Sequence, residues 1–472
     1  MKFRLILVLI IIGLTIFLIS GSSDVNVVFD WQGLVISLLI LFIITFLLIF
    51  RIGGRGFEIF SLFFIFYFLQ RIVLLNYEFE FFTFPRVVIT AQDNNSALCL
   101  LLFFTLMIAS GFELTGKKFN INKTNKFDLY IGNKRFINSW IFLSYNVLAM
   151  QYILLLFFNV GIGSIEPGQY AWIFRPLRAI SVLSIGVLYI FIQNKVSISN
   201  STKKSLSIFI ALLLIFNILS GSRASILSLI ISVLFIKILL GEDFVKKKYI
   251  YCSIVLIPIL SLFFLFINEY RSYLQNFPSD NIFGFMSNTN FYDLVKNFNM
   301  LSSIEFLSLR MNGYDVFIAS FVRSNELIPN MLISNHFLQI IDSLYPGSLF
   351  DGGPESAIAV VEILREVSIE NYIFHREFIN LIGMAYIYFG VIGGGIFLLT
   401  IFYIISYYLY SQDISIIIKL IILSSVLFYS FESGFLPSIF VNLSEQIIFY
   451  LIIIIIINFF NKFKWKSIGI KA

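Results

Sequence analysis

SIFIALLLIFNILSGSRASILSLIISVLFIKIL, residues 207–239, decides how this chain is folded. As one helix it would extend about 50 Å at ~1.5 Å per residue, far beyond the ~30 Å hydrocarbon core of a bilayer. A single crossing would also put Lys246, Lys247 and Lys248 on the opposite side from Lys203 and Lys204. Two crossings keep all five lysines together, so the segment reads as a hairpin that turns at SGSR, residues 220–223. Each arm is then barely long enough to cross. Arg223 is left at the membrane boundary or in an internal cavity, where a cation is costly unless paired and usually marks function.

The rest of the chain requires the same solvent. Its 472 residues are 59% hydrophobic and only 13% charged, with a mean hydropathy of +0.92, which excludes a soluble fold. The expected fold class is an all-α polytopic membrane protein of about 12 transmembrane helices. The spans run approximately 5–20, 34–50, 57–75, 97–112, 137–160, 176–193, 206–219, 224–240, 249–268, 378–399, 414–431 and 446–460. Three regions follow: spans 1–9 in residues 1–268, a large extracytoplasmic loop in 269–377, and spans 10–12 with a cytoplasmic tail in 378–472.

Basic residues in short loops stay in the cytoplasm and orient the spans. Lys2 and Arg4, Arg51 and Arg55, the run from Lys117 to Arg135, Lys195, Lys203, Lys204, the triplet from Lys246, and the tail from Lys462 all fall on one side. Both termini are therefore expected inside. Residues 1–23 also resemble a secretory signal, whose removal would leave the sidedness of the other spans intact. Cys99 and Cys252 both lie in predicted spans, so no disulfide framework is implied. The net charge of +6 comes from the lysine-rich cytoplasmic face, and nucleic acid is not needed to explain it.

The outer side is chemically different. Among lysines it holds only Lys296, but Arg71, Arg86, Arg175, Arg178, Arg223, Arg271, Arg310, Arg323, Arg365 and Arg376 lie there or at adjoining helix ends. Lys is a hydrated point charge, whereas Arg presents a planar fork that grips phosphate or carboxylate through two hydrogen bonds. Arg223 reads as a phosphate or sugar contact rather than a snorkelling cation, because Gly221 and Ser222 allow close backbone approach. Arg271, in NEYR, is open between such a contact and an ion pair with Glu269. Arg310, in LRMNGYD, is likewise open between a ligand contact and a pair with Asp315 or Glu305. The arginines at 86, 175, 178, 323 and 365 read as ordinary partners for the loop's thirteen acidic residues.

Within the large loop, apolar and polar residues alternate at helical spacing in 291–322 and 353–367, with turn formers at 276–284 and 345–354. The expectation is a cap of short helices lying on the outer membrane surface. His336 and His375, the chain's only histidines, are in this loop and either could act as a general base. No His, Cys or carboxylate cluster has metal-ligand spacing, and GGRGFE at 53–58 lacks the Lys and Ser or Thr of a phosphate-binding loop. No metal or other cofactor is expected. Gly390 and Gly394, in YFGVIGGGIF, have the spacing that lets two membrane helices approach.

A dozen spans, a short outer hairpin with SGSRAS, EYR after the ninth span, a large outer loop and the following NLIGMAYIYFGVIGG together resemble the bacterial O-antigen and capsule repeat-unit polymerases, the Wzy family. The resemblance implies a membrane-embedded, GT-C-like glycosyltransferase of the bacterial plasma membrane, independent of metal. It would join oligosaccharide repeats carried on undecaprenyl pyrophosphate, with a flippase and a chain-length regulator as partners. Under it, Arg223 and Arg271 bind the pyrophosphate, Arg310 adds a phosphate or sugar contact, and His375 or Glu377 is the base. The O-antigen ligases look similar but have a His shortly before the tenth span. Aligning on FGVIGG puts Ile379 there, beside Asn380, a departure that favours polymerase. A lipid-linked oligosaccharide flippase is the rival from another class.

Overall fold

The computed structural model describes residues 2–20, 30–77, 86–115, 134–158, 200–219, 282–289, 312–328, 379–411 and 416–423, with isolated positions elsewhere. Among them all regular structure is helical. Four helices are long and apolar enough to cross a membrane: Trp31–Phe50, Gly54–Asn76, Ala91–Glu113 and Leu381–Tyr410. In chain order the helices are α1 Lys2–Ser20, α2 Trp31–Phe50, α3 Gly54–Phe64, a π-helical turn Ile65–Leu69, α4 Gln70–Tyr77, α5 Ala91–Glu113, α6 Lys134–Phe158 and α7 Asn200–Leu219. They continue with α8 Ile282–Asn288, α9 Gly313–Val322, α10 Ser324–Leu327, α11 Leu381–Tyr410 and α12 Ile416–Ile422.

Helices α2 and α5 begin before the apolar run does, because polar residues cap their first turns. Asp30 caps α2 by accepting the Gly33 N–H at 2.8 Å. That bond, helped by the Asn95 amide against a smaller opposing cost of burial, holds the Asp30 carboxyl below its usual range. Thr90 and Asp93 form a reciprocal capping box at the start of α5. The first arm of the expected hairpin is helical as far as Leu219, the last described residue before SGSR. Residues 220–240 lie outside the described residues.

Helix directions agree with the alternation expected of successive crossings. Tyr145 Oη donates to the Ser205 carbonyl at 2.6 Å, and Tyr152 Oη, seven residues on, donates to Leu212 at 2.6 Å. The rings of Tyr145 and Tyr152 meet Phe209 and Phe216 edge-on in the same step. Helices α6 and α7 are thus parallel in a heptad-spaced contact, as spans five and seven should be. Helix α5 and the later part of α11 are also parallel. A Cβ on Gly394 would lie 3.0 Å from the Phe104 ring, and one on Gly111 would lie 2.6 Å from the Leu399 carbonyl.

Helix α11 is two helices, with a break inside the stretch expected as span ten. Gly390 has φ 66° and ψ −164°, a conformation open essentially to glycine alone. In a straight helix residues 385 and 394 would be about 13 Å apart. Here a Cβ on Gly394 would come 2.6 Å from the Ala385 carbonyl oxygen, and the Phe389 and Phe397 rings are 4.7 Å apart. The chain therefore folds sharply at Gly390. Residues 391–410 form an arm about 30 Å long, long enough to cross a bilayer core, whereas the expected span 378–399 contains the bend.

The glycine pair is accordingly split in role. Gly394 packs helix to helix as expected. Gly390 packs against nothing, since a Cβ there would meet no atom within 4 Å, and serves the bend instead. Gly390→Ala is expected to cost about 1–3 kcal/mol from backbone conformation alone. Thermal unfolding of the purified protein in detergent checks this, and an unchanged midpoint would contradict the bend.

The far end of this second arm of α11 is tied to the turn between α2 and α3. Tyr410 Oη accepts from the Gly56 N–H and donates to the Gly53 carbonyl, both at 3.3 Å. The Gly53 N–H donates to Glu113 Oε2 at 2.5 Å, joining the end of α5 to the same turn.

Candidate functional site

At the opposite end of the bundle, where α5 begins, a buried polar cluster gathers residues from four separate stretches of chain. It starts in the third span. The N–H of Gln70 bonds to the Ile65 carbonyl, one residue further back than in an α-helix, so the turn at 65–69 is widened. A π-type turn shifts the register of every side chain after it and often accompanies function. Immediately beyond it lies Arg71.

Arg71 is fully buried, and so is its partner Asp315 in the first turn of α9. Arg71 Nε donates to Asp315 Oδ1 at 2.9 Å and the terminal Nη2 donates to Oδ2 at 2.5 Å. This is the two-toothed geometry that the guanidinium plane favours. The sequence names Asp315 only as one of two possible partners of Arg310, which lies outside the described residues; the partner found in the structure is Arg71. Arg323 does follow the ordinary expectation, meeting Glu326 at 2.6 Å in an exposed pair.

Helix α9 also departs from the surface cap expected of the large loop. Residues 313–320 are buried on every face. Its sequence, GYDVFIASFV, is apolar all round, and such a helix has no face to give to water. Phe317 packs 6.3 Å from Phe68 by ring centroid, and Phe321 packs 5.1 Å from Tyr386. Gly313 sits directly on the widened turn, where a Cβ would lie 3.0 Å from the Tyr67 carbonyl and 3.1 Å from the Phe68 ring. A larger residue could not bring α9 this close.

Two further bonds complete the cluster. Tyr314 Oη donates to Asn94 Oδ1 at 2.5 Å, and Asn94 Nδ2 donates to the Val28 carbonyl at 3.2 Å. Asn380 caps the first arm of α11 by accepting the Gly383 N–H at 2.9 Å, while its Nδ2 donates to the Gly313 carbonyl at 2.6 Å. The beginnings of α9 and of the first arm of α11 therefore meet. A helix start carries roughly half a positive charge, so the start of α9 and Arg71 both favour the Asp315 carboxylate.

This arrangement holds charge in an apolar setting and fixes where helices begin. It supplies no hydroxyl or thiol activated by a neighbouring base, and among the described residues no three His, Cys, Asp or Glu side chains gather to hold a metal. Arg223, Arg271, Arg310, His336, His375 and Glu377 all lie outside the described residues. The residue before Arg271 is described: Tyr270 is buried, 5.3 Å from Phe285 by ring centroid.

Arg71, Asp315, Asn94 and Asn380 form a site that the sequence reading did not assemble. Arg71 left a trace there, as a cation beside Gln70 inside the apolar run 57–75, the kind of intramembrane charge that signals function. Comparison with known proteins gives no relative: no protein-family model, no curated protein and no solved structure matches the chain.

Proposed function

We propose that this chain joins lipid-linked oligosaccharide repeat units into surface polysaccharide at the outer face of a bacterial plasma membrane. In this reading twelve spans place both termini in the cytoplasm and residues 269–377 outside. The growing chain is the donor and a single lipid-linked repeat is the acceptor. An acceptor hydroxyl attacks the donor's anomeric carbon, the bond to undecaprenyl pyrophosphate breaks, and the hydroxyl proton passes to His375 or Glu377. Arg223, Arg271 and Arg310 bind the departing pyrophosphate. Guanidinium groups held in a water-poor site stabilise the negative charge that develops on it.

The observation that most supports this reading is the hydrogen bond from Asn380 to Gly313 at 2.6 Å. It joins two points that are 67 residues apart, one near each side of the proposed catalytic stretch. Arg310 precedes Gly313 by three residues in sequence, and Glu377 precedes Asn380 by three. A chain extends at most about 3.6 Å per residue, so the joint limits how far apart a phosphate ligand and a base on these segments can lie. Burial of the joint among Phe68, Phe317 and Ile379 gives it the dry surroundings that charge stabilisation needs.

One observation favours a second reading. The break in α11 at Gly390 is the kind of discontinuity found where transporters bind substrate, which fits a flippase for the same lipid-linked oligosaccharides. Deletion of the gene followed by gel analysis of surface and lipid-linked glycans separates these. Collapse of the ladder to one repeat supports polymerisation. Single lipid-linked repeats accumulating inside the cell indicate the flippase, and lipid-linked polymer that is never attached indicates a ligase. Either of the last two outcomes overturns the proposal.

A further inference from the structure

The polymerase reading leaves unexplained why the chain keeps a fully buried ion pair. Removing a guanidinium and a carboxylate from water costs several kcal/mol for each ion, and buried pairs are frequently no better for stability than apolar residues of the same volume. Stability alone is thus a poor reason for Arg71 and Asp315. Geometry supplies a better one. Apolar packing would let α9 slide or rotate, since Phe64 and Phe68 present similar rings to Phe317 at successive turns. A two-toothed pair has one register, because both bonds form only when the carboxylate lies in the guanidinium plane.

The surrounding contacts depend on that register. Turning α9 by one residue, about 100°, would withdraw Tyr314 from Asn94 and drive a side chain into the space that Gly313 leaves at Tyr67. It would also carry the Gly313 carbonyl away from Asn380, which caps the first arm of α11. One pair therefore sets the start of two helices, each joined to a segment of the large loop.

We propose that Arg71 and Asp315 are a positioning pair: their bidentate contact fixes the register of the inserted loop helix, and through Asn380 it sets the relative placement of the two loop segments that carry out transfer. This rests on the polymerase reading. In this reading the pair acts by holding the segments that contact substrate. Its loss affects turnover more than substrate affinity, because misplacement by about 1 Å costs on the order of a hundredfold in rate.

The test is chain elongation in detergent, using the purified full-length protein and a pyrophosphate-lipid-linked repeat unit as both donor and acceptor. The double variant Arg71→Leu with Asp315→Leu removes both charges together and is expected to unfold at a temperature close to wild type. Its kcat is expected to fall by about a hundredfold, with KM within about threefold. Asp315→Glu, which keeps both charges but lengthens one by a methylene group, is expected to stay folded and to lose turnover by about tenfold or more. A purely structural pair predicts the opposite: activity following thermal stability in both variants. Full turnover in a stable double variant overturns the proposal, and if the double variant does not fold, full turnover in Asp315→Glu does so. Failure of the wild-type protein to elongate at all counts against the polymerase reading, whereas a split between stability and turnover is specific to the pair.

Discussion

Asp315→Leu alone is expected to destabilise the protein by about 3–5 kcal/mol, the usual penalty for removing one member of a buried ion pair. The cost comes chiefly from what remains. Arg71 is 0% exposed, so its guanidinium is left in an apolar setting without the carboxylate that faces it at 2.5 Å. The change also removes an acidic group from the first turn of α9, where it opposes the helix dipole. Loss of the monodisperse peak in detergent chromatography, or a large drop in the unfolding midpoint, checks this. Adding Arg71→Leu should restore most of the loss. An Asp315→Leu protein as stable as wild type would mean that the two charges are not the buried pair described.

Arg223→Lys is expected to leave the protein in the membrane at normal levels and to abolish long-chain polysaccharide. The charge is retained, so topology and insertion are not disturbed. What is lost is the planar fork, and a single ammonium cannot make two parallel bonds to a phosphate. Removing one preorganised donor from a site of developing charge typically costs about 10²–10³ in rate, enough to shift surface glycans from a ladder to single repeats. Gel analysis of the glycans beside an immunoblot for the protein gives the result. Normal chain lengths at normal protein levels would remove Arg223 from the proposed site.

Helix content and relative direction were legible in the sequence because both follow from local sums. A window of apolar residues must find a non-aqueous environment, and basic residues between windows must find water. The parallel pairing of α6 with α7, through Tyr145 and Tyr152, agrees with that count. Helix starts were placed three residues late in α2 and six in α5, since hydropathy does not register a capping residue such as Asp30 or Thr90. The bend inside span ten was not legible for a different reason. Residues 381–389 are as apolar as residues 391–410, and hydropathy cannot register a sharp fold between two apolar helices.

The candidate site was legible only in kind. An excess of arginine over lysine marked the side expected to be outer, and the resemblance to polymerases supplied expected roles for Arg223, Arg271, Arg310, His375 and Glu377. Neither signal distinguished Arg71 among the ten arginines expected there. Its importance depends on Asp315, 244 residues away, and no property of either neighbourhood specifies that distance.

By itself, then, the sequence determined the solvent of this protein and the alternation of its helices, because hydrophobic transfer acts on each segment separately. Only the tertiary structure decided that the loop helix α9 is inserted among the spans, that α11 bends at Gly390, and that Arg71 is matched to Asp315. Those outcomes depend on shape and charge brought together from distant parts of the chain, where the energy belongs to the contact and to neither partner alone.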